Sequence, residues 1–134
     1  IQLVGGRVRE TVVNILSFGY RFGPPQSVEL MFDLRFLPNP YFDDGLRDGT
    51  GMDPAVAAYV LDGAPGREFF SRLVDFVEFL LPHYDEEGKA YVTVGMGCTG
   101  GRHRSVAVAE ALARHLREAG REVNIEHRDS EREL

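Results

Sequence analysis

One nine-residue run concentrates side chains able to do chemistry: Gly97, Cys98, Thr99, Gly100, Gly101, Arg102, His103, Arg104 and Ser105. Its glycines let successive backbone N–H groups turn inward as an anion nest. A helix starting here adds its unsatisfied N–H groups and the positive end of its dipole. Arg102 and Arg104 supply charge, and Thr99, Ser105 and His103 supply donors. The run reads as a phosphate cradle; the plain alternative is a glycine turn that merely packs. A Walker loop does not fit. Gly95 and Gly100 have its spacing, but Gly101 and Arg102 stand where Lys and Ser/Thr are required. A dinucleotide fingerprint fits poorly too. Its acidic residue should follow a second strand, and Glu118 falls within a helix.

The spacing of Cys98, Arg104 and Ser105 resembles the phosphate loop of cysteine-dependent phosphatases. In those enzymes a thiolate attacks phosphorus while arginine and amides hold the oxygens. A thiolate at a helix N-terminus beside Arg104 would have a lowered pKa. Gly97 replaces the histidine that usually precedes that cysteine, and Asp43, Asp44 or Asp48 could serve as general acid. Equally, Cys98 is a small residue ending a buried strand.

Further candidates lie outside the run. Asp33 interrupts the apolar stretch LMFDLRFL (30–37), where a buried carboxylate must be paired. Arg35, two positions on, shares its face. Asp33 either forms a structural pair with Arg35 or holds an amine or hydroxyl of a sugar. Arg21 and Arg47 can reach an anion from their loops or stay solvated. Asn39 and Tyr41 are placed on the ligand side, and Tyr20 and Tyr41 are the aromatic residues suited to walls. His83, His115 and His127 show no ligand spacing, so neither a metal nor a cofactor is expected.

These residues need elements to position them. Thr11–Phe18 is a β-branched, apolar strand ending at Gly19, and 19–25 (GYRFGPP) is a loop. A second strand is predicted over 30–37, then a long irregular loop over 38–51. Asp53 can cap a helix with Pro54 at its first position, running to Gly63. A second helix begins near Gly66. Its stripe Phe69, Phe70, Leu73, Val74, Phe76, Val77, Leu80 and Leu81 reads as core, and Pro82 ends or kinks it. A strand over 90–95, a helix over 102–119 capped by Gly120 and a half-exposed strand over 123–128 complete the chain. This order gives an α/β fold: a largely parallel sheet of about four strands with helices packed on its faces. Ligands bind such sheets beyond the carboxyl ends of the strands. The loops 19–25, 38–51 and 97–101 should meet there.

Composition bounds the function. The 134 residues, 43% hydrophobic and 27% charged, fit one globular domain over 1–134. The single cysteine excludes an internal disulfide. No apolar run approaches the ~20 residues of a membrane span, and no leader is evident. No membrane contact and a cytoplasmic location are therefore expected. A net charge of -6 opposes a general nucleic-acid surface. Fourteen of the fifteen cations are arginine, the residue suited to bidentate phosphate contact, although base composition of the genome would produce the same bias.

Five segments occur in order: SFGYRFG (17–23), FDLRFLPNPYF (32–42), LRDGTG (46–51), PAVAAYV (54–60) and GCTGGRHRSV (97–106). Together they resemble the C-terminal domain of the RapZ (YvcJ-type) proteins, bacterial RNase adapters and nucleotide-binding regulators. The resemblance implies an α/β domain similar to a sugar-phosphate-binding domain of phosphofructokinase, with a P-loop ATPase domain upstream. It implies a pocket for a phosphorylated metabolite, glucosamine 6-phosphate in enterobacterial members, together with self-association and, in those members, binding of small regulatory RNAs. Two departures stand out: the end HRDSEREL carries mixed charge where those members have a basic tail, and Tyr41 replaces a histidine. The reading is a sensor that binds a phosphorylated small molecule, or simple phosphate or sulfate, without chemistry of its own. A cysteine phosphatase and an RNA-binding adapter are the alternatives.

Overall fold

The structure is a computed structural model that describes residues 3–4, 7–8 and 10–132. Two short strands, β1 (Leu3–Val4) and β2 (Arg7–Val8), pair antiparallel. The main sheet comprises β3 (Val12–Gly19), β4 (Leu30–Asp33), β5 (Tyr91–Cys98) and β6 (Val123–His127). Its order is β4-β5-β3-β6, and every pairing is parallel. The helices α1 (Pro54–Leu61), α2 (Ala64–Glu87) and α3 (Arg104–Glu118) pack around it. The expected α/β class is the observed one. Central strands of a parallel sheet are buried and therefore apolar. Val13, Ile15, Val92 and Val94 accordingly join Leu73, Val77, Leu112 and Leu116 in one core.

The register sets the site. Gly19 pairs with Cys98 and Asp33 with Gly97, so three strands end nearly level. The loops that follow them leave from the same edge of the sheet.

Several elements differ from expectation. β4 stops at Asp33 instead of reaching Leu37. The Asp33 carboxylate accepts the N–H of Arg35 at 3.0 Å and closes a turn. Leu34 then points into the core, with its N–H on the Gly97 carbonyl at 2.7 Å. The 38–51 segment contains a single 3-10 turn, Pro40–Phe42, capped by the Asn39 side chain on the Tyr41 N–H. Asp53 does not cap α1; its carboxylate accepts the Thr50 N–H at 2.8 Å.

Pro82 does not end α2, which continues to Glu87 and stops at Gly88 with φ 82°. The extra turns carry Asp85 to the far edge of the sheet. There it accepts the Thr11 N–H at 2.7 Å and two bonds from Arg121 at 2.8 and 2.9 Å. Those bonds offset the helical hydrogen bond that proline removes.

The α2 stripe is only partly core. Leu73, Val74, Val77 and Leu81 are buried, whereas Phe76 is 45% exposed; Phe79, outside the stripe, is 63% exposed. β4 is too short to cover them. Phe32 stacks edge-to-face on Phe69 and Phe76, and Phe36 on Phe69, beside that edge strand. Among the described residues no helix is long and apolar enough to cross a membrane.

Candidate functional site

β5 delivers Cys98 to the carboxyl edge, and the chain turns through Thr99, Gly100 and Gly101 into α3. Gly101 has φ +80°, a conformation that glycine adopts at little cost. It also lies against backbone: a Cβ there would stand 2.6 Å from the Gly19 nitrogen. No side chain caps the N-terminus of α3. Its first N–H groups therefore lack the oxygen that usually satisfies them. A cavity of about 480 Å³ opens at this point.

Arg104 is 4% exposed and borders that cavity. Its Nη1 donates to the carbonyls of Arg35 and Leu37 at 2.7 and 3.3 Å, and its Nη2 to Thr99 Oγ1 at 3.3 Å. Burial lowers its pKa against the opposing pull of Cys98 and Asp33. All three of these acceptors are neutral oxygens, and Asp33 is the nearby carboxylate that acts on the guanidinium charge. Cys98, 3% exposed, donates its thiol to Ser105 Oγ at 3.2 Å. Ser105 and Gly101 are buried behind the lining, while Thr99 faces solvent at the mouth.

His103 and Arg102 border the cavity but also brace the 38–51 loop. His103 Nε2 lies 2.8 Å from the Arg47 carbonyl, which can only accept, so Nε2 carries the proton. Burial, assisted by the charges of Arg102 and Arg104, holds its imidazole below the usual histidine value. The ring is therefore neutral at pH 7. Arg102 donates to the carbonyls of Gly49, at 2.8 Å, and Asp48. Gly51 packs directly on the start of α3, its N–H on the Arg102 carbonyl at 2.9 Å.

Arg21, Asn39 and Tyr41 complete the walls. Phe42, 78% exposed, is a wall that the sequence did not reveal, because an aromatic residue in a loop carries no periodic signal. Asp33, Arg35 and Arg47 are not among the lining residues. Asp33 is not a buried carboxylate: its side chain and that of Arg35 are 48% and 49% exposed. The two are spent on each other, with Arg35 donating to both Asp33 oxygens. That hydrogen bonding holds the Asp33 carboxyl below its usual value despite some desolvation. Arg35 also lies 4.2 Å over the ring of Tyr20, which does not line the cavity. Arg47 pairs with Asp44 and donates to the Tyr41 carbonyl at 2.7 Å.

The phosphatase resemblance meets the structure at two points. A Cβ at Gly97 would stand 2.5 Å from Phe18 Cζ and 2.6 Å from Tyr20 Cε2, so no histidine fits there. None of Asp43, Asp44 and Asp48 lines the cavity. Among the described residues no three His, Cys, Asp or Glu side chains gather to hold a metal ion.

The fold and the cavity define a parallel α/β domain with an arginine-lined recess at the carboxyl edge of its sheet. The chain belongs to the RapZ C-terminal domain family, whose sequence profile matches residues 11–131. It is 52% identical over 128 residues to a nucleotide-binding protein of Nitratidesulfovibrio vulgaris, covering 96% of this chain and 44% of that one. A nucleotide-binding protein of Lawsonia intracellularis is 50% identical over 125 residues, covering 93% and 39%. One of Brevibacillus brevis is 50% identical over 135 residues, covering 98% and 45%. The chain thus spans less than half the length of these curated relatives.

Proposed function

We propose that this chain is a regulatory domain that binds a phosphorylated small molecule in the cavity at Cys98–Ser105. The carrying observation is the uncapped N-terminus of α3 opening onto a recess lined by Arg21, Arg102 and Arg104 and by no carboxylate. A phosphate there would take backbone N–H groups, Thr99 Oγ1 and the Arg104 guanidinium. The relatives' name, nucleotide-binding protein, supports a phosphate-bearing ligand. It describes chains more than twice as long, and in them a further domain can carry the nucleotide.

A sugar phosphate such as glucosamine 6-phosphate is the finer reading. The Asn39 oxygen is used on the Tyr41 N–H, which leaves its NH₂ free to donate to a hydroxyl. Tyr41 and Phe42 offer aromatic surface for the ring. The output would pass to a partner or a neighbouring ATPase domain. The reading requires neither self-association nor RNA contact, and the charge of -6 opposes the latter.

Calorimetric titration with inorganic phosphate and glucosamine 6-phosphate tests it. Both should bind, the sugar phosphate more tightly. Arg104→Ala should cost roughly 1.5–3 kcal/mol, about tenfold to a hundredfold in affinity. Because Arg104 also braces two carbonyls, the exposed Arg21→Ala serves as a second variant and should weaken both ligands. Binding that ignores both substitutions would refute the assignment. The phosphatase reading retains one observation in its favour: the Cys98 sulfur lies beside both Ser105 and Arg104.

A further inference from the structure

The wall of the cavity is held from behind by a charged group that the ligand reading leaves unused. Asp129, just after β6, has a side chain with no exposed surface. A carboxylate in that setting must be paired. Its Oδ2 accepts the N–H of Gly19 at 2.8 Å. Arg128 donates to it from Nη2 at 2.7 Å and reaches both oxygens from Nε at 3.1 Å. Arg132 Nε lies 2.9 Å from Oδ1. These pairings and the Gly19 N–H outweigh the cost of burial and hold the carboxyl below its usual value.

The same two arginines grip the turn that Gly19 begins. Arg128 Nη2 donates to the Gly23 carbonyl at 2.6 Å, and the Arg132 guanidinium lies 4.6 Å over the Phe22 ring. The turn rests in its turn on the anion loop. A Cβ at Gly19 would stand 2.4 Å from the Gly100 carbonyl carbon, and one at Gly101 would stand 2.9 Å from Asp129 Cβ. No layer separates Asp129, Gly19 and the Gly100–Gly101 backbone. The Arg21 N–H donates to the Thr99 carbonyl at 3.1 Å, which ties the cavity's outer arginine to the same assembly.

We infer that Asp129 is the positioning residue of the cavity: locked by Arg128 and Arg132, it holds the Gly19–Gly23 turn against Thr99–Gly101 and so fixes Arg21 relative to Arg104. The inference rests on the anion-binding reading above. Asp129 does not line the cavity; it acts through the Gly19 amide. A matched group exists at the other end of the sheet. Asp85 accepts a backbone N–H from Thr11 and two bonds from Arg121, and β3, eight residues long, places roughly 26 Å between the two clamps.

Inorganic phosphate is titrated into the wild-type chain, Asp129→Asn, Arg132→Gln and Asp85→Asn. Folding is followed by circular dichroism, and amide exchange by NMR, on the same samples. Asparagine keeps the shape and an acceptor oxygen but loses the charge that holds the arginines. Asp129→Asn should weaken phosphate binding roughly tenfold and speed exchange of the Arg21 amide by a similar factor. Arg132→Gln, which removes a half-exposed arm, should move both in the same direction by less. Asp85→Asn should lower the melting temperature and move neither. If Asp129→Asn behaves like Asp85→Asn, the inference is overturned. Should the wild-type chain take no phosphate, the ligand reading falls alone. Arg21 exchange then decides: faster exchange upholds the positioning role and unchanged exchange ends it. If Asp129→Asn does not fold, Arg132→Gln carries the same readouts.

Discussion

Cys98 stands at the foot of the cavity with its thiol on Ser105, and its replacement separates a sensor from an enzyme. If amides and arginines hold the anion, Cys98→Ser substitutes one small polar group for another. Phosphate affinity should then stay within roughly 1 kcal/mol of wild type. The native chain should release no product from an aryl phosphate. Multiple turnovers that vanish in Cys98→Ser would instead establish the phosphatase. At this scale the loop's residue types were legible in the sequence, because glycine, arginine and hydroxyl residues within nine positions need no tertiary contact to be read. The sequence misled on Asp33. An acidic residue in an apolar run looks buried until the strand is known to end on it, with Arg35 alongside in solvent. Asp129 was illegible because a carboxylate in a mixed-charge run reads as a solvated face, and only the return of β6 beside β3 brings it to Gly19.

The elements act as a frame that presses loops together. At Gly51 the 38–51 loop meets α3 with no space for a side chain: a Cβ would stand 2.3 Å from the Ala107 nitrogen and 2.4 Å from the His103 carbonyl. Both obstacles are helix backbone, so the loop must yield. Gly51→Ala should lower stability by roughly 1–3 kcal/mol in urea unfolding and weaken phosphate binding, since His103 and Arg102 brace this same loop. Unchanged unfolding would show that the loop moves freely. The largely parallel sheet and the helix periods were legible in the sequence, as were the converging loops, because β-branched runs alternating with helical periods favour that class; the strand order was not. Nor was the passage of α2 through Pro82. Local rules end a helix there, and the compensation comes from Thr11 and Arg121, 74 and 36 positions from Asp85.

Across the whole molecule, two carboxylate clamps, Asp129 buried and Asp85 partly buried, secure opposite edges of the sheet. Asp85 and Asp129 are both held below the usual carboxylate value, each despite burial, by arginine and backbone N–H partners. The folded state therefore favours their ionised forms. Their contribution is complete above the unfolded value of about 3.9 and is withdrawn as pH falls through the lowered native values. Urea midpoints should drop between neutral pH and about pH 3, and less steeply in Asp85→Asn, which has no proton to take up. Equal slopes for the two chains would show that other groups govern acid unfolding. The lining of the cavity has a separate consequence. Three arginines and no carboxylate face a recess inside a chain whose net charge is -6. If the recess binds anions as proposed, a long polyanion would meet the net negative charge along its length, whereas a compact dianion would enter and meet the guanidinium groups. On the proposed reading the recess would act as an electrostatic sieve, selecting anions by the size of their carrier.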